Sequence, residues 1–144
     1  MSKKTVYETN FDRLVKLNIC TAEGELRPDG RSISEGYMDL VLEQVNAPES
    51  ISDKKCKTLS LAHYFTQNGD LCCDPDMVLI VYPKAKMVEV CSFQMAIPPI
   101  YQEVYPALGR YVPSLKKELN SFLRTWLTNL ISQDHGVIWE NQAD

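Results

Sequence analysis

The sequence predicts an α+β fold: a single four-stranded, mainly antiparallel sheet with an N-terminal and a C-terminal helix packed on one face. Three observations carry this reading. Leu115, Leu119, Phe122, Leu123, Trp126, Leu127, Leu130 and Ile131 recur at helical spacing and form a broad apolar stripe. Four segments of strand length, rich in apolar residues, fill the chain between Tyr37 and Met95. One sheet with both helices across one face would satisfy every apolar face these segments present.

The first helix is expected over about Tyr7 to Ile19, where Phe11, Leu14, Val15 and Leu17 to Ile19 follow helical spacing. Asn10 reads as its N-cap, ahead of Phe11. The cluster from Glu23 to Gly30 ends it in turns. Tyr37 to Val45 reads as the first strand, followed by a polar, mobile loop from Asn46 to about Lys55 with little to bury. In Thr58 to Thr66, Leu59, Leu61, His63 and Phe65 share one face. Asn68-Gly69 is the hairpin signal, because both residues tolerate positive φ. Met77 to Tyr82 is apolar throughout and suits a central strand. Pro83 to Lys86 connects it to a returning strand over Met87 to Met95. Pro98-Pro99 is expected to end the sheet, since neither proline can donate to a ladder. Ile100 to Val112 reads as a short helical turn and a packed loop. The final helix starts near Pro113, with Ser114 as its cap, and stops at His135-Gly136. Val137 to Trp139 crosses back as a short extended piece.

Residues 1–144 form one domain on this reading, long enough to bury a core without staples. Nineteen acidic against 15 basic residues leave a net charge of -4, so no basic surface is indicated for nucleic acid. No apolar run approaches a membrane span, and the N-terminus lacks a signal-peptide core. The five cysteines are odd in number and read as reduced thiols of a cytoplasmic protein.

From Leu59 to Met77 the chain gathers aromatic residues, a histidine, a tight turn and three aspartates. Ser60-Leu-Ala-His-Tyr-Phe65, Gln67-Asn-Gly-Asp-Leu71 and Asp74-Pro-Asp-Met77, with Tyr101-Gln102 further on, resemble an uncharacterised family of small proteins from phages, plasmids and other mobile elements. The resemblance spans roughly Tyr37 to Tyr105. It implies no activity, cofactor or site residue. Its mobile-element setting implies a host-interaction or defence-related role.

Several constellations carry chemistry in principle. His63, Asp70, Cys72, Cys73, Asp74 and Asp76 offer zinc ligands, but adjacent cysteines point apart on an extended chain and no Cys-x-x-Cys pair is present. Asp70, Asp74, Asp76 and Glu89 offer a hard-cation site for a nuclease-like enzyme. The bland reading is that Asp70 and Asp74 cap turns and His63 is a half-buried sheet residue. A Cys/His nucleophile pair lacks any sign of a lowered thiol pKa or an oriented base. There is no glycine-rich phosphate loop and no serine elbow.

A binding surface fits better. Tyr101, Tyr105 and Tyr111, beside Pro98-Pro99 and Pro106, are expected to form an aromatic ridge, or else to fill the core margin. Trp139 is expected either to anchor the tail or to dock a second subunit. The expected function is a non-enzymatic module that binds another protein, as a mobile-element accessory or anti-defence factor, with no cofactor and with a homodimer in view. The alternatives are a metal-dependent enzyme acting on nucleic acid, and a domain that binds or mimics nucleic acid.

Overall fold

The structure, a computed structural model, describes residues 3–51 and 55–141. Two helices, α1 (Val6–Lys16) and α2 (Pro113–Ser132), pack on a single antiparallel sheet. Its strands are β1 (Gly30–Ile33), β2 (Leu40–Val45), β3 (Lys57–Gln67), β4 (Asp70–Tyr82), β5 (Met87–Met95), β6 (Ile100–Glu103) and β7 (Ile138–Asn141). They lie in the order β6-β5-β4-β3-β2-β1-β7. Among the described residues the sheet therefore has seven strands, not the four expected.

The three extra strands have physical reasons. β1 and β7 are four-residue pieces, largely polar, that pair with each other from Gly30 with Asn141 to Ile33 with Ile138. So short a segment shows no readable alternation, and its pairing is decided by a partner more than 100 residues away. β6 follows Pro98-Pro99, which was expected to end the sheet. The prolines occupy a turn instead, where no ladder donor is needed, and Ile100 returns to pair with Met95. Ile100 to Val112, expected as helical turn and loop, is strand over its first four residues.

β4 also runs further back than expected, to Asp70. Asn68 (φ 54) and Gly69 (φ 84) form the turn the dipeptide signals. Pro75 then sits inside the strand, at a register shift between the Ala62 and Tyr64 positions of β3. A bulge of this kind is where a sheet tolerates a residue without an N–H.

α1 starts earlier than Asn10 indicated. Thr5 is the cap: its side chain accepts from the Glu8 N–H, and the Glu8 carboxylate accepts from the Thr5 N–H. This reciprocal box satisfies two backbone donors that would otherwise be orphaned. α2 starts at Pro113 with no side-chain cap, so Ser114 does not serve as one. Both helices end alike. Asn18 (φ 59) and Asp134 (φ 64) take left-handed conformations. The next amides, of Ile19 and His135, reach back to the carbonyls of Leu14 and Leu130, both at 3.0 Å. These are Schellman closures, with Asn or Asp in glycine's usual place.

The main core lies between the helices and one sheet face. Leu59 and Leu61 of β3, Leu79 of β4 and Val90 of β5 meet Phe11 and Leu14 of α1 and Leu123 and Leu127 of α2. A smaller cluster occupies the other face, where Ile51 packs on Ile80 and Cys91. The loop after β2 was expected to bury little; Ile51, 6% exposed, ties it to that face. Expectations for residues 52–54 fall outside the described residues. Among the described residues, no helix is long and apolar enough to cross a membrane.

One polar device organises the β5 edge. β6 pairs only with Ser92 to Met95, so the earlier half of β5 lacks a strand on that side. Asn120 of α2, fully buried, fills the gap: its Oδ1 accepts from the Val90 N–H at 2.9 Å. Its Nδ2 donates to the Lys116 carbonyl at 2.7 Å, and its own carbonyl accepts from Asn10 Nδ2 at 3.2 Å. Asn10, read as a cap, is in fact this helix-to-helix clasp.

Candidate functional site

The strands disperse the carboxylates grouped from sequence. Asp70 is exposed at the β3–β4 hairpin, and Asp74 lies at the register shift. Asp76 accepts from Ser60 Oγ at 2.6 Å. Asp76 pairs with Gln94, whereas Glu89 pairs with Ile80, four residues further along β4. At strand rise that separates them by roughly 13 Å. Among the described residues, no three His, Cys, Asp or Glu side chains are grouped so as to hold a metal ion.

Three of the five thiols are unsuited to nucleophilic work. Burial pushes Cys91 up to about 11, helped by Glu89 and Glu103, and pushes Cys20 up to about 11. Burial also raises the Cys73 thiol. A protonated thiol is a poor nucleophile. His63 faces the helices, with Trp126 edge-on at 5.6 Å, and so lies on the opposite face from Cys91.

Glu89 and two of the ridge tyrosines do come together. Glu89 is 7% exposed on β5, at the edge that Asn120 seals. One carboxylate oxygen accepts from Tyr82 Oη at 2.7 Å, and the other accepts from Tyr105 Oη. Lys116 stands 4.0 Å from Glu89, an ion-pair separation too long for a direct hydrogen bond. Three rings surround its ammonium: Tyr7 at 5.5 Å, Tyr105 at 6.0 Å and Tyr111 at 5.3 Å from their centroids. Burial, then the bond to Glu89, raises the phenols of Tyr82 and Tyr105 well above the ordinary tyrosine value. Both remain hydrogen donors, which is what a buried carboxylate needs.

Three concavities adjoin this cluster. A cavity of about 180 Å³ is lined by Tyr7, Tyr82, Met87, Val88, Glu89 and Lys116. One of about 270 Å³ lies between Ile51 and the Tyr82, Tyr105 and Tyr111 side chains. A groove of about 420 Å³ crosses the open sheet face past Glu49, Tyr101, Glu103 and Tyr105. Tyr101 is 60% exposed and donates to Glu103 at 2.6 Å; that bond, with some burial, pushes its phenol up to about 12.

Sequence reasoning found Glu89, Tyr105 and Tyr111 but assigned them to different sites. It missed Tyr7, Tyr82 and Lys116 as members of one cluster. One signal was available: Tyr82 and Glu89 flank the Pro83–Lys86 connection as diagonal neighbours on one face of a hairpin. Tyr7 and Lys116 arrive from the helices, and no spacing announces them. Trp139 is an intramolecular anchor: its Nε1 donates to the Leu17 carbonyl at 3.0 Å, and the Arg27 guanidinium lies 4.3 Å from its ring centroid.

A second polar cluster sits where the helix ends meet β1. Ser32 Oγ accepts from the Gly136 N–H at 2.8 Å and contacts His135 Nδ1 at 3.0 Å. His63 Nδ1 lies 2.9 Å from the Asp39 carbonyl, and the two imidazoles are 5.9 Å apart. Ser32 is fully buried and His135 is 3% exposed, so this Ser/His pair is a clasp, closed to substrate. Burial pushes the His135 pKa below its ordinary 6.5, with His63 adding to the shift and the Met38 backbone and Asp39 opposing it. The folded chain thus resists a proton that the unfolded chain accepts. Stability is present above about pH 6.5 and is lost as pH falls from there through the folded pKa. Urea midpoints are expected to drop between about pH 7.5 and about pH 5.5, and His135→Asn to drop less. Equal drops would remove His135 as the cause.

The fold and site together define a class: an α+β protein on one seven-stranded antiparallel sheet, helices on one face, a tyrosine-boxed glutamate at one edge. A family model described as a domain of unknown function, DUF6908, matches residues 12–136. The chain belongs to that family. Searches of curated proteins and of solved structures gave no match.

Proposed function

We propose that this chain is a non-enzymatic module that binds another protein through the segment from Ile97 to Val112. One observation carries the reading: Ile97, Ile100, Tyr101, Leu108, Tyr111 and Val112 are all exposed on that one segment. Apolar side chains gathered this way at a sheet edge mark interaction surfaces, whereas singly scattered ones do not. Tyr101 and Tyr105 line the open-face groove, and Tyr105 and Tyr111 line the neighbouring cavity, so the segment borders two concavities that share Tyr105. The dispersed carboxylates and the raised thiols of Cys20, Cys73 and Cys91 favour binding over catalysis. A cytoplasmic setting and a mobile-element accessory or anti-defence role complete the proposal; the latter rests on the sequence resemblance alone.

A photo-reactive residue placed at Tyr101 or Leu108 tests it, with Thr125 on the exposed side of α2 as control. One adduct of defined mass is expected from the first two positions in cells, absent from the third and lost on Tyr111→Ser. An adduct of twice the subunit mass would make the partner a second copy. The same products at all three positions would sink the proposal.

A further inference from the structure

The cage around Lys116 already holds an ammonium, supplied by the chain itself. Its floor is Glu89, nine-tenths buried, and its walls are tyrosine rings. A carboxylate offers about four lone-pair positions, and the two phenols use one on each oxygen. Acceptor capacity is therefore left over, and the cavity of about 180 Å³ opens onto it beside Lys116. That volume is well below the roughly 300–1,000 Å³ of sites for drug-sized ligands. It suits the tip of one side chain.

Lys116 is weakly held for a resident. It stands 4.0 Å from Glu89, and its side chain is 28% exposed. It also lies in the first turn of α2, where the helix dipole disfavours a cation and that turn carries no acidic residue. The neighbouring groove carries Glu49 and Glu103 and no basic side chain. Among the described residues, neither of those carboxylates has an ion-pair partner. Aromatic walls over a buried carboxylate are the chemistry that recognises organic cations.

We infer that the Glu89 cavity is a receptor for an arginine or lysine side chain of the partner protein, which enters between Tyr7 and Tyr82 as Lys116 swings out to solvent. This rests on the protein-binding reading and names the chemistry of that partner. The two cations share one carboxylate, so the resident competes with the guest.

The test uses the full chain, with N-acetyl-arginine-N-methylamide and its lysine counterpart as probes and the citrulline analogue as the neutral control. Binding is read from the tyrosine ring resonances. Saturable binding of the charged probes is expected, with none for citrulline. Lys116→Met is expected to tighten binding roughly tenfold by removing the competing charge. Glu89→Gln is expected to abolish it. Tyr7→Leu, which leaves the buried carboxylate and its phenol partners in place, is expected to weaken it several-fold, so the outcome does not hang on the Glu89 variant folding. Equal binding of citrulline, or no tightening in Lys116→Met, would overturn the inference. Tighter binding of tetramethylammonium than of either amino-acid probe would overturn the partner side chain as the source. If the cavity takes no cation while the cross-links from Tyr101 and Leu108 persist, this inference fails and the protein-binding reading stands; loss of both removes both.

Discussion

Gly136→Ala is expected to destabilise the fold by roughly 3 kcal/mol, from left-handed backbone strain and overpacking together. Gly136 has φ 92, and a Cβ there would stand 2.6 Å from the Leu17 carbonyl oxygen and 2.7 Å from the Leu17 Cα. Both are backbone atoms, so no side chain can move aside. The surroundings are pinned as well. Asn18 Nδ2 donates to the Gly136 carbonyl at 2.8 Å, the Gly136 N–H is held by Ser32, and Trp139 donates to the same Leu17 carbonyl. The two helix ends and the β1–β7 pair therefore meet at one glycine. For a chain of this size the loss corresponds to about 10 °C in Tm. Gly69→Ala is the control: it shares the positive φ, but nothing lies within 4 Å of the added methyl. Its expected cost is only about 1 kcal/mol. Thermal melts of both variants, matched in magnitude, would show that contact at Leu17 is not the cause.

Asn120→Leu is expected to cost roughly 2–3 kcal/mol, because it strands a buried donor and removes a second side-chain hydrogen bond. The Val90 N–H would lose its acceptor at an edge where no strand replaces it, and the Lys116 carbonyl would keep its helical donor but lose the side-chain one. The leucine is similar in size, so the loss would report hydrogen bonding more than volume. Amide exchange adds a local signature: Val90 is expected to lose protection selectively. Asn10→Ala removes a different bond, because Asn10 Nδ2 donates to the Asn120 backbone carbonyl, which leucine retains; in urea unfolding its cost is expected in either background. A cost below about 1 kcal/mol for Asn120→Leu, with Val90 still protected, would remove the Asn120 side-chain bonds as an energetic unit.

Local chemistry was legible wherever neighbours in sequence decide it. The stripe from Leu115 to Ile131 is a helix with Leu123 and Leu127 in the core, because a 3.6-residue period admits no other apolar face. Asn68-Gly69 turns the hairpin, because both residues accept positive φ. Leu59, Leu61 and His63 share the helix-facing side of β3, because strands alternate.

Local reading failed where a residue had two local uses and tertiary structure chose. Asn10 has the side chain of a cap, but Thr5 and Glu8 close the helix, leaving Asn10 to bond a helix 110 positions away. Asp74-Pro75 has the signature of a turn, yet β3 and β5 on either side draw it into a strand with a register shift.

The site divides in the same way. Residue types by themselves marked Glu89 as a candidate cation ligand and Tyr105, Tyr111 and Trp139 as candidate interface residues, since carboxylates bind hard cations and aromatic residues are enriched in interface cores. Which of them meet was decided by the sheet order and by the entry of the two helices. β6 leaves the first half of β5 uncovered, α2 crosses that gap with Asn120 and Lys116, and α1 brings Tyr7. The sequence by itself determined the α+β class, the hairpin turn and the inward faces, because these depend on periodicities of two and 3.6 residues. Only the tertiary structure decided the seven strands, the glycine at the joined helix ends and the glutamate in its tyrosine box. The β1–β7 pair and the glycine contact join segments more than a hundred residues apart, and the box depends on where two helices cross the sheet; no local period encodes either.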